Sequence, residues 1–206
     1  MTKSFPSLIT SILHIGSMVL PTELYPEFMN HIYTFCERLM IKLHYILCVM
    51  IRKPVVAGQF YSASSNPLKT EIEECFLDAR GPGKLPEIRK KEGSLKGVVV
   101  PHAGYMYSGA IAAHSYLAVA ENGFADTFVL IGPNHTGMGS GVSLFPNGEW
   151  ETPFGKLPVE EAIVDLLAGG IIDLDENAHR YEHSIEVQLP FLQYIANKKT
   201  FSIVPI

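Results

Sequence analysis

Short apolar runs alternate with amphipathic stretches from Met50 to the end of the sequence, a pattern typical of α/β proteins. Continuous apolar runs at residues 97–100 and 127–131 predict strands that are covered on both faces, as in parallel sheets. Residues 142–150, which include a Pro-Asn-Gly turn, and residues 202–206 predict two more strands. We therefore expect an α/β fold with a mainly parallel central sheet flanked by helices.

Four stretches between and beside these runs predict the flanking helices. The first begins at the Ser-Asn-Pro tripeptide of residues 65–67, an N-cap with a first-turn proline, and its apolar residues recur at helical spacing until Gly81. The others are predicted at residues 108–120, 158–168 and 184–196. Residues 54–61 are predicted to be extended, and the Lys- and Glu-rich residues 85–94 are predicted to form a solvated loop.

The first 49 residues differ from the rest, because they carry few charges and show no alternation of strands and helices. Residues 8–20 loosely imitate a secretory signal, but His14 and Gly16 interrupt the apolar stretch. Residues 39–51 are shorter than the roughly 20 residues of a membrane span and fit an appended or interfacial helix better. A third interpretation, which we prefer, makes residues 1–49 upstream sequence outside the domain of residues 50–206.

The two ends of the chain lead to two expectations. A chain that starts at Met50 and extends downstream to the natural end is expected to be at least as soluble, and to melt at least as cooperatively, as the longer one. A clear loss would show that residues 1–49 belong to the core. Because residues 202–206 predict a strand with no polar or helical closure after it, we expect the domain to be incomplete at its C-terminus.

Composition and charge narrow the classes of function. The 206 residues are 47% apolar and 18% charged, which suits one globular domain with its own core. Sixteen basic against twenty-one acidic residues give a net charge of −5, which argues against nucleic acid as a partner. The three cysteines are odd in number and lack C-x-x-C spacing, so neither a disulfide framework nor a zinc knuckle is indicated. These features favour a cytoplasmic protein without a membrane partner.

Two histidines directly follow predicted strands. His102 follows residues 97–100 in a Pro-His-Ala-Gly segment, and His135 follows residues 127–131 in a Gly-Pro-Asn-His segment. Because ligand sites of open α/β sheets gather at the carboxyl ends of the strands, these imidazoles are expected to converge on a shared metal or substrate. The prolines stiffen both loops, and the glycines permit close backbone approach. The alternative is that each ring only hydrogen-bonds the loop backbone.

A third histidine, His183, lies where a predicted helix begins, with Glu182 before it and Glu186 three residues after it. One interpretation is that both carboxylates simply favour the N-terminus of the helix, in a near-capping-box pattern. The other is that His183 supplies a proton donor or a ligand, because imidazole titrates near neutral pH and a carboxylate fixes its second nitrogen.

Other motifs match known sites only superficially. Residues 179–183 fit the H-x-x-E-H pattern of inverted zinc peptidases, but five residues match easily by chance and a loop is predicted just before them. The glycine-rich residues 137–141 lack the lysine of a phosphate-binding loop. His114 lies on an alanine-rich helix, so it is expected to pack against neighbours rather than bind a ligand.

Several motifs, taken in order, resemble the MEMO family, and the similarity covers residues 50–206. They are Ala-Gly-Gln-Phe-Tyr at residues 57–61, Val-Pro-His-Ala-Gly-Tyr at 100–105, Gly-Pro-Asn-His at 132–135, Glu-His-Ser-Ile-Glu at 182–186 and Ile-Val-Pro at 203–205. The residues in these motifs resemble those of archaeal or bacterial members of the family. Residues 1–49 have no counterpart in this resemblance.

The resemblance implies an α/β fold similar to that of class III extradiol ring-cleaving dioxygenases, which use non-haem iron. It implies that His102 and His135 are ligands of a metal ion, with His183 nearby. Under the hypothesis of a dioxygenase-like enzyme, the ion is Fe(II) or copper and His183 is the acid–base catalyst. The pocket is expected to be lined by Tyr105, Asn134 and Glu182. The third metal ligand of the family, a cysteine, lies downstream of the 206 residues and is therefore absent from this chain.

Two functions remain open on this basis. The first is a metal-dependent, dioxygenase-like oxidoreductase that acts on a small aromatic ligand. The second is a non-catalytic scaffold that keeps the same pocket and binds a metal or a peptide, since the eukaryotic member of the family binds a phosphotyrosine peptide. Microbial members occur beside AMMECR1-like and radical-SAM proteins, which are therefore expected partners. Neither fold nor family fixes the reaction.

Overall fold

The computed structural model describes residues 50–88 and 94–206, which form a mixed α/β fold with small sheets and four helices. The strands are β1 (Ile51–Arg52), β2 (Thr127–Leu130), β3 (Ser143–Leu144), β4 (Glu149–Thr152), β5 (Gly155–Pro158), β6 (Asp173–Leu174) and β7 (Ser202–Pro205). The helices are α1 (Ser65–Leu77), α2 (Tyr105–Glu121), α3 (Glu161–Leu167) and α4 (Leu189–Ala196), with a 3₁₀ turn (Glu186–Gln188) before α4. The predicted extension, residues 1–49, lies outside the described residues.

The described strands pair in three small sheets. β1 pairs in parallel with β4, and β4 pairs in antiparallel fashion with β5. β2 pairs in parallel with β7, and β3 pairs in parallel with β6. Parallel pairing therefore predominates among the described strands, but these strands are distributed over three sheets rather than one central sheet.

Aromatic side chains hold three of the helices together. Phe191 of α4 stacks on Tyr116 of α2 with ring centroids 4.7 Å apart, and it meets Phe76 of α1 edge-on at 5.9 Å. All three rings are buried. Because burying a large apolar side chain contributes roughly 1.5–3 kcal/mol, this cluster fixes the position of α2, whose first residues follow the His102 loop.

The close approach of α1 and α2 predicts a specific sensitivity to substitution. A Cβ atom at Gly109 of α2 would lie 2.4 Å from the Cys75 sulfur of α1. We expect Gly109→Ala to lower the free energy of unfolding by about 1–3 kcal/mol through overpacking, measured by urea denaturation. With Cys75→Ala as the background, the same substitution is expected to be neutral or stabilising by up to about 1 kcal/mol, because alanine favours the helix. An equal loss in both backgrounds would refute the proposed clash.

Residues 97–100, which were predicted to form a buried strand, are not paired with another strand in the described part of the chain. Val99 is 96% exposed, and the segment runs over the surface in front of β2. Valine favours extended backbone, but a strand is buried only where other elements cover it. The run of apolar residues therefore predicted an extended backbone for the segment, but it did not predict whether another strand pairs with it.

Two predicted helices are shorter than expected. In the region of residues 158–168, β5 pairs with β4 across a two-residue turn, and α3 begins only at Glu161. In the region of residues 184–196, a 3₁₀ turn precedes α4. Pro190 stands in the first turn of α4, where its missing N–H costs no intrahelical bond.

The longest described helix is α2, with 17 residues. A helix that crosses a bilayer needs about 20 predominantly apolar residues. Within residues 50–88 and 94–206, no helix combines the length and the apolar character that a membrane span requires.

Candidate metal centre

Three segments from different parts of the chain meet at the candidate site. His102 lies in the loop that leads into α2, and His135 lies in the loop that follows β2. His183 lies just before the 3₁₀ turn that leads into α4. The two histidines that were predicted to follow strands therefore do converge, although only His135 follows a strand in the structure, and the third histidine joins them.

The three imidazoles form one cluster. Each of His102, His135 and His183 offers a ring nitrogen, and these three nitrogens all lie within 4.8 Å of one another. The rings of His135 and His183 stack with centroids 4.7 Å apart, and the ring of His102 lies 5.1 Å from that of His135. The three histidines are thus positioned to hold a metal ion.

Glu182 organises this cluster from behind. Its Oε1 lies 2.9 Å from Nδ1 of His135, which leaves Nε2 of that ring for a ligand. Its two oxygens also accept hydrogen bonds from the backbone N–H groups of His135, His183 and Ser184, at 2.6, 2.8 and 2.9 Å. A carboxylate that orients a histidine in this way fixes both the tautomer and the direction of the ring.

The surroundings also set the ionisation of the site. Burial acts to raise the pKa of Glu182, but the hydrogen bonds from the His135 ring and from three backbone N–H groups outweigh it and lower this pKa to about 2. Burial lowers the pKa of His183, and the nearby rings of His135 and His102 act in the same direction against the carboxylate of Glu182. At neutral pH, Glu182 is therefore ionised, and His183 is neutral, which is the form of imidazole that binds metals.

The loop that carries His135 is pressed against the segment that carries His183. A Cβ atom at Gly132 would lie 2.5 Å from the Ser184 hydroxyl oxygen and 2.9 Å from a side-chain carbon of Ile185, so this position accepts only glycine without a shift of its neighbours. The Ser184 hydroxyl also donates a hydrogen bond to the Pro133 carbonyl at 3.1 Å. This contact keeps two of the three histidines side by side.

A buried ion pair supports the His183 segment from the other side. The guanidinium of Arg52 in β1 pairs with the carboxylate of Glu186, and both side chains are almost inaccessible to solvent. Glu186 also accepts hydrogen bonds from the N–H groups of Val55 and Val56, at 2.9 and 3.0 Å, and from the Tyr61 hydroxyl at 2.8 Å. Glu186 therefore ties β1 and the turn that follows it to the base of the cluster.

Arg52 also binds the backbone of the segment that leads to His183. Its guanidinium donates to the carbonyl oxygens of His179, at 3.2 Å, and Glu182. It also lies 4.5 Å from the centre of the Trp150 ring, a cation–π distance. One side chain of β1 thus fixes the course of the chain from residue 179 to residue 186.

An apolar mouth opens over the cluster. A cavity of about 540 Å³ is bordered by His102 and His183 and by a mainly apolar rim made of Gln59, Phe60, Pro101, Ala103, Gly104, Met106 and Tyr107. Phe60 meets the ring of His183 edge-on, with centroids 4.9 Å apart. Met106 and Tyr107 are both 74% exposed at the rim. The cluster is therefore reachable from solvent past apolar and aromatic surfaces.

The three residues expected to line the pocket lie in different places. Tyr105 lies in the core, where its hydroxyl donates to the Val187 carbonyl at 2.8 Å, and Tyr107 lies at the mouth instead. Two residues apart on a helix are about 200° apart around its axis, so only one of the two tyrosines faces the core. Asn134 is exposed and closes a turn by accepting from the Gly137 N–H at 2.9 Å. Glu182 is buried behind the histidines rather than at the mouth.

Two other histidines in the described part of the chain lie outside the cluster. His179, part of the H-x-x-E-H match, is buried against Phe145 and Trp150, and its Nε2 lies 3.1 Å from the Ser143 carbonyl. This position separates the two histidines of the zinc-peptidase pattern. His114 on α2 contacts the Arg80 carbonyl at 3.0 Å.

Sequence reasoning did not identify Arg52 as part of the site. Its one signal is that it is one of two adjacent cations in the segment Met-Ile-Arg-Lys-Pro-Val-Val, where Lys53 looks equivalent to it. In the structure, Lys53 is exposed and pairs with Glu151, whereas Arg52 is buried. The alternation of a strand places neighbouring side chains on opposite faces, but the sequence does not indicate which face is buried.

The role of Glu182 leads to a testable prediction. Glu182→Gln keeps the size of the side chain and removes its charge, so the ring of His135 loses its orienting carboxylate. We expect metal affinity to fall by about 10–100-fold, measured by competition with a chelator of known affinity. Glu176→Gln is the matched control, because Glu176 belongs to the same stretch of chain and lies outside the cluster. Equal affinities of the two variants would contradict the orienting role.

Comparison with known proteins places the chain in a family. The family model described as Memo-like protein matches residues 52–206. The chain is 52% identical over 161 residues to a MEMO1 family protein of Sulfurisphaera tokodaii and 54% identical over 161 residues to one of Methanobrevibacter smithii. It is 50% identical over 159 residues to a MEMO1 family protein of Methanothermobacter thermautotrophicus.

The extent of these matches is as informative as the identities. Each alignment covers 76% of this chain but only 56% of the relative, so the chain spans slightly more than half the length of the curated relatives it matches. The matched region contains all three histidines of the cluster, together with Arg52, Glu182 and Glu186. The chain belongs to the Memo-like protein family.

Proposed function

We propose that the histidine cluster binds one iron or copper ion and that the protein is a metal-dependent oxidoreductase of the dioxygenase-like type, with a small aromatic substrate. The observation that carries this proposal is the convergence of His102, His135 and His183, with their ring nitrogens within 4.8 Å of one another. Three imidazoles at this spacing, with a carboxylate oriented behind them, are unusual unless they hold a ligand in common.

The donor set fits a transition metal. Imidazole nitrogens suit iron, copper, zinc and nickel, whereas calcium and magnesium prefer oxygen ligands. Two nitrogens that each lie about 2.1 Å from one ion are at most about 4 Å apart, so small side-chain rotations bring these rings onto a shared ion. Iron(II) or copper held with open coordination positions supplies redox chemistry toward O₂ and a substrate.

We assign different roles to the residues around that ion. His102 and His135 are the proposed ligands, and Glu182 holds the His135 ring in its binding tautomer. His183 is the proposed acid–base group, because it lies in the cluster and also borders the mouth, where it can reach a proton on a bound substrate. The rim of Phe60 and Tyr107 favours a flat apolar ring.

The finer features of the fold belong to the same proposal. The predominance of parallel pairs, β1 with β4, β2 with β7 and β3 with β6, supports an architecture like that of class III extradiol dioxygenases. An anionic third ligand from outside the 206 residues would complete the ion's coordination. The coverage of 56% of the relatives leaves room for such a residue in a longer protein.

A second candidate function is a binding protein that keeps the pocket without turnover. It is favoured by the mainly apolar rim of the cavity, which can hold a peptide beside the histidine cluster without a reaction. The exposed Met106 and Tyr107 offer adaptable apolar contacts for such a peptide. Association with AMMECR1-like or radical-SAM proteins would suit this alternative and is part of the proposal only.

An anaerobic metal titration followed by oxygen uptake separates these functions. The chain is loaded with Fe(II) or copper, its metal content is measured by elemental analysis, and O₂ consumption is recorded with a panel of catechol-type compounds. One ion per chain with substrate-dependent uptake supports the enzyme. One ion per chain without uptake across the panel favours the binding protein, and the absence of stoichiometric metal overturns the metal site.

A further inference from the structure

The ring of His102 is held less directly than the rings of the other two histidines in the cluster. Glu182 binds the ring of His135, and the ring of Phe60 packs edge-on against that of His183. Within residues 50–88 and 94–206, by contrast, the ring of His102 makes no hydrogen bond to a side chain or to the backbone. The position of this ring therefore depends on the contacts that hold its loop.

The side-chain amide of Gln188 connects the His102 loop to the segment of His183. Its nitrogen donates one hydrogen bond to the Pro101 carbonyl, which belongs to the peptide bond that enters His102, and one to the Ser184 carbonyl, both at 3.2 Å. A primary amide has two N–H donors, so both donors of this side chain are used. Because proline has no N–H, its carbonyl is the one backbone group by which residue 101 can be held.

A buried tyrosine fixes the orientation of this amide. The Tyr116 hydroxyl of α2 donates to Oε1 of Gln188 at 2.5 Å. If the amide were turned by half a rotation, its oxygen would face the carbonyl oxygens of Pro101 and Ser184, and acceptors would oppose acceptors. The ring of Tyr116 is itself buried and stacks on Phe191, so the aromatic cluster of the core holds the hydroxyl in place.

Ser184 extends this connection to the third loop of the cluster. Its carbonyl accepts from Gln188, and its hydroxyl donates to the Pro133 carbonyl at 3.1 Å, two residues before His135. The loops of all three histidines are therefore joined through one serine and one glutamine. Loss of the Gln188 amide would release the His102 loop alone, since the contact with Pro133 uses the serine hydroxyl.

We propose that Gln188 is a positioning residue of the metal site, whose amide holds the His102 loop so that this imidazole faces the other two. The inference rests on the proposed function, because it concerns the geometry of the ligands of the ion. The ring of His102 lies 5.1 Å from that of His135 and 6.0 Å from that of His183. A ligand set must be held within about 0.5 Å of its working geometry by such supporting contacts, so a released loop weakens the site.

Replacing Gln188 by methionine tests the proposal, because methionine is of similar length and has no N–H group. In the full 206-residue chain, we expect the affinity for Cu(II) to fall by about tenfold or more, measured by competition with a chelator. Electron paramagnetic resonance of the copper-loaded variant is expected to show one coordinated imidazole fewer than that of the wild type. In the metal-free chain, the nuclear Overhauser contacts between the rings of His102 and His135 are expected to weaken.

Gln193→Met is the matched control. The side chain of Gln193 is also a half-buried amide that accepts from a hydroxyl, that of Thr152 at 2.6 Å, and donates to a carbonyl, that of Gly155 at 3.3 Å. It lies on α4, outside the cluster. We expect the two methionine variants to lose similar free energies of unfolding in urea, whereas only Gln188→Met loses copper affinity and ring contacts.

A second variant covers the case in which Gln188→Met is too unstable to purify. Gln188→Glu keeps the size of the side chain and an oxygen that accepts from Tyr116, but at neutral pH it has no donor for the Pro101 carbonyl. It is expected to show the same loss of copper affinity and of ring contacts.

The outcomes separate this inference from the proposed function. Copper affinity and ring contacts that are unchanged in Gln188→Met, or that fall equally in Gln193→Met, overturn the positioning role. Failure of the wild-type chain to bind either copper or Fe(II) overturns the metal site instead. In that case the ring contacts of the metal-free chain decide the role of Gln188: their loss in Gln188→Met alone supports it, and their retention overturns it.

Discussion

Alanine at His102 or His135 is expected to abolish stoichiometric binding of iron or copper, with an affinity loss of more than about 100-fold. The physical reason is that a ligand is removed outright, whereas loss of a group that only orients a ligand already costs about 10–100-fold. Both substitutions remove side chains that are at least partly exposed, so the fold is expected to persist. Elemental analysis after anaerobic loading, with a chelator titration for the affinity, measures the effect.

His114→Ala is the control for these variants, because His114 contacts the Arg80 carbonyl and lies outside the cluster. It is expected to retain the full metal content. His183→Ala adds a second distinction: retained metal with lost oxygen uptake identifies His183 as the acid–base group, and lost metal identifies it as a third ligand. Undiminished metal in both the His102 and the His135 variants would show that the ion does not bind at this cluster.

Replacing Arg52 by methionine is expected to lower the free energy of unfolding by about 3–5 kcal/mol, the usual cost of breaking a buried ion pair from one side. The carboxylate of Glu186 would stay buried without its counter-ion, and the carbonyls of His179 and Glu182 would each lose a donor. Urea denaturation at neutral pH measures the change.

The neighbouring residue provides a matched control. Lys53→Met removes a cation from an exposed pair with Glu151, which is expected to cost less than about 1 kcal/mol. The double variant Arg52→Met/Glu186→Gln is expected to be more stable than Arg52→Met alone, since it removes the uncompensated charge. A loss for Arg52→Met no larger than that for Lys53→Met would show that the buried pair contributes little net stability.

The sequence was sufficient to predict the place of the candidate site. His102 and His135 each follow an apolar run and precede or lie among glycine and proline, and the rule that ligands gather at strand ends predicted their convergence. Membership of the Memo-like protein family was also predictable, because several short motifs occur in a fixed order. These features are local in sequence, so no knowledge of long-range packing was needed.

Long-range partners were not predictable in the same way. Glu186 fitted a role at a helix N-terminus, but its carboxylate lies in the core and binds Arg52, 134 positions earlier in the chain. Tyr105 and Tyr107 looked alike in the sequence, and only the packing of α2 on α1 and α4 decides which of them is buried. A single sequence specifies the propensity and spacing of such residues without specifying their contacts.

The segment 97–100 shows the same limit for a strand. Three consecutive valines after Gly97 predict a buried strand, yet Val99 is almost fully exposed. A segment with high β propensity forms a strand only where a neighbouring strand accepts its hydrogen bonds. Because no described strand pairs with it, the segment stays exposed.

The link between Arg52 and the 179–186 segment also has a consequence for the order of events during synthesis. The N-terminal partner leaves the ribosome 127–134 residues before the groups that it binds. Contacts of such high sequence separation form slowly, because a long loop must close before they stabilise the chain. Water solvates the guanidinium of Arg52 until residues 179–186 have been synthesised, and we expect the pocket to assemble only after these residues have emerged.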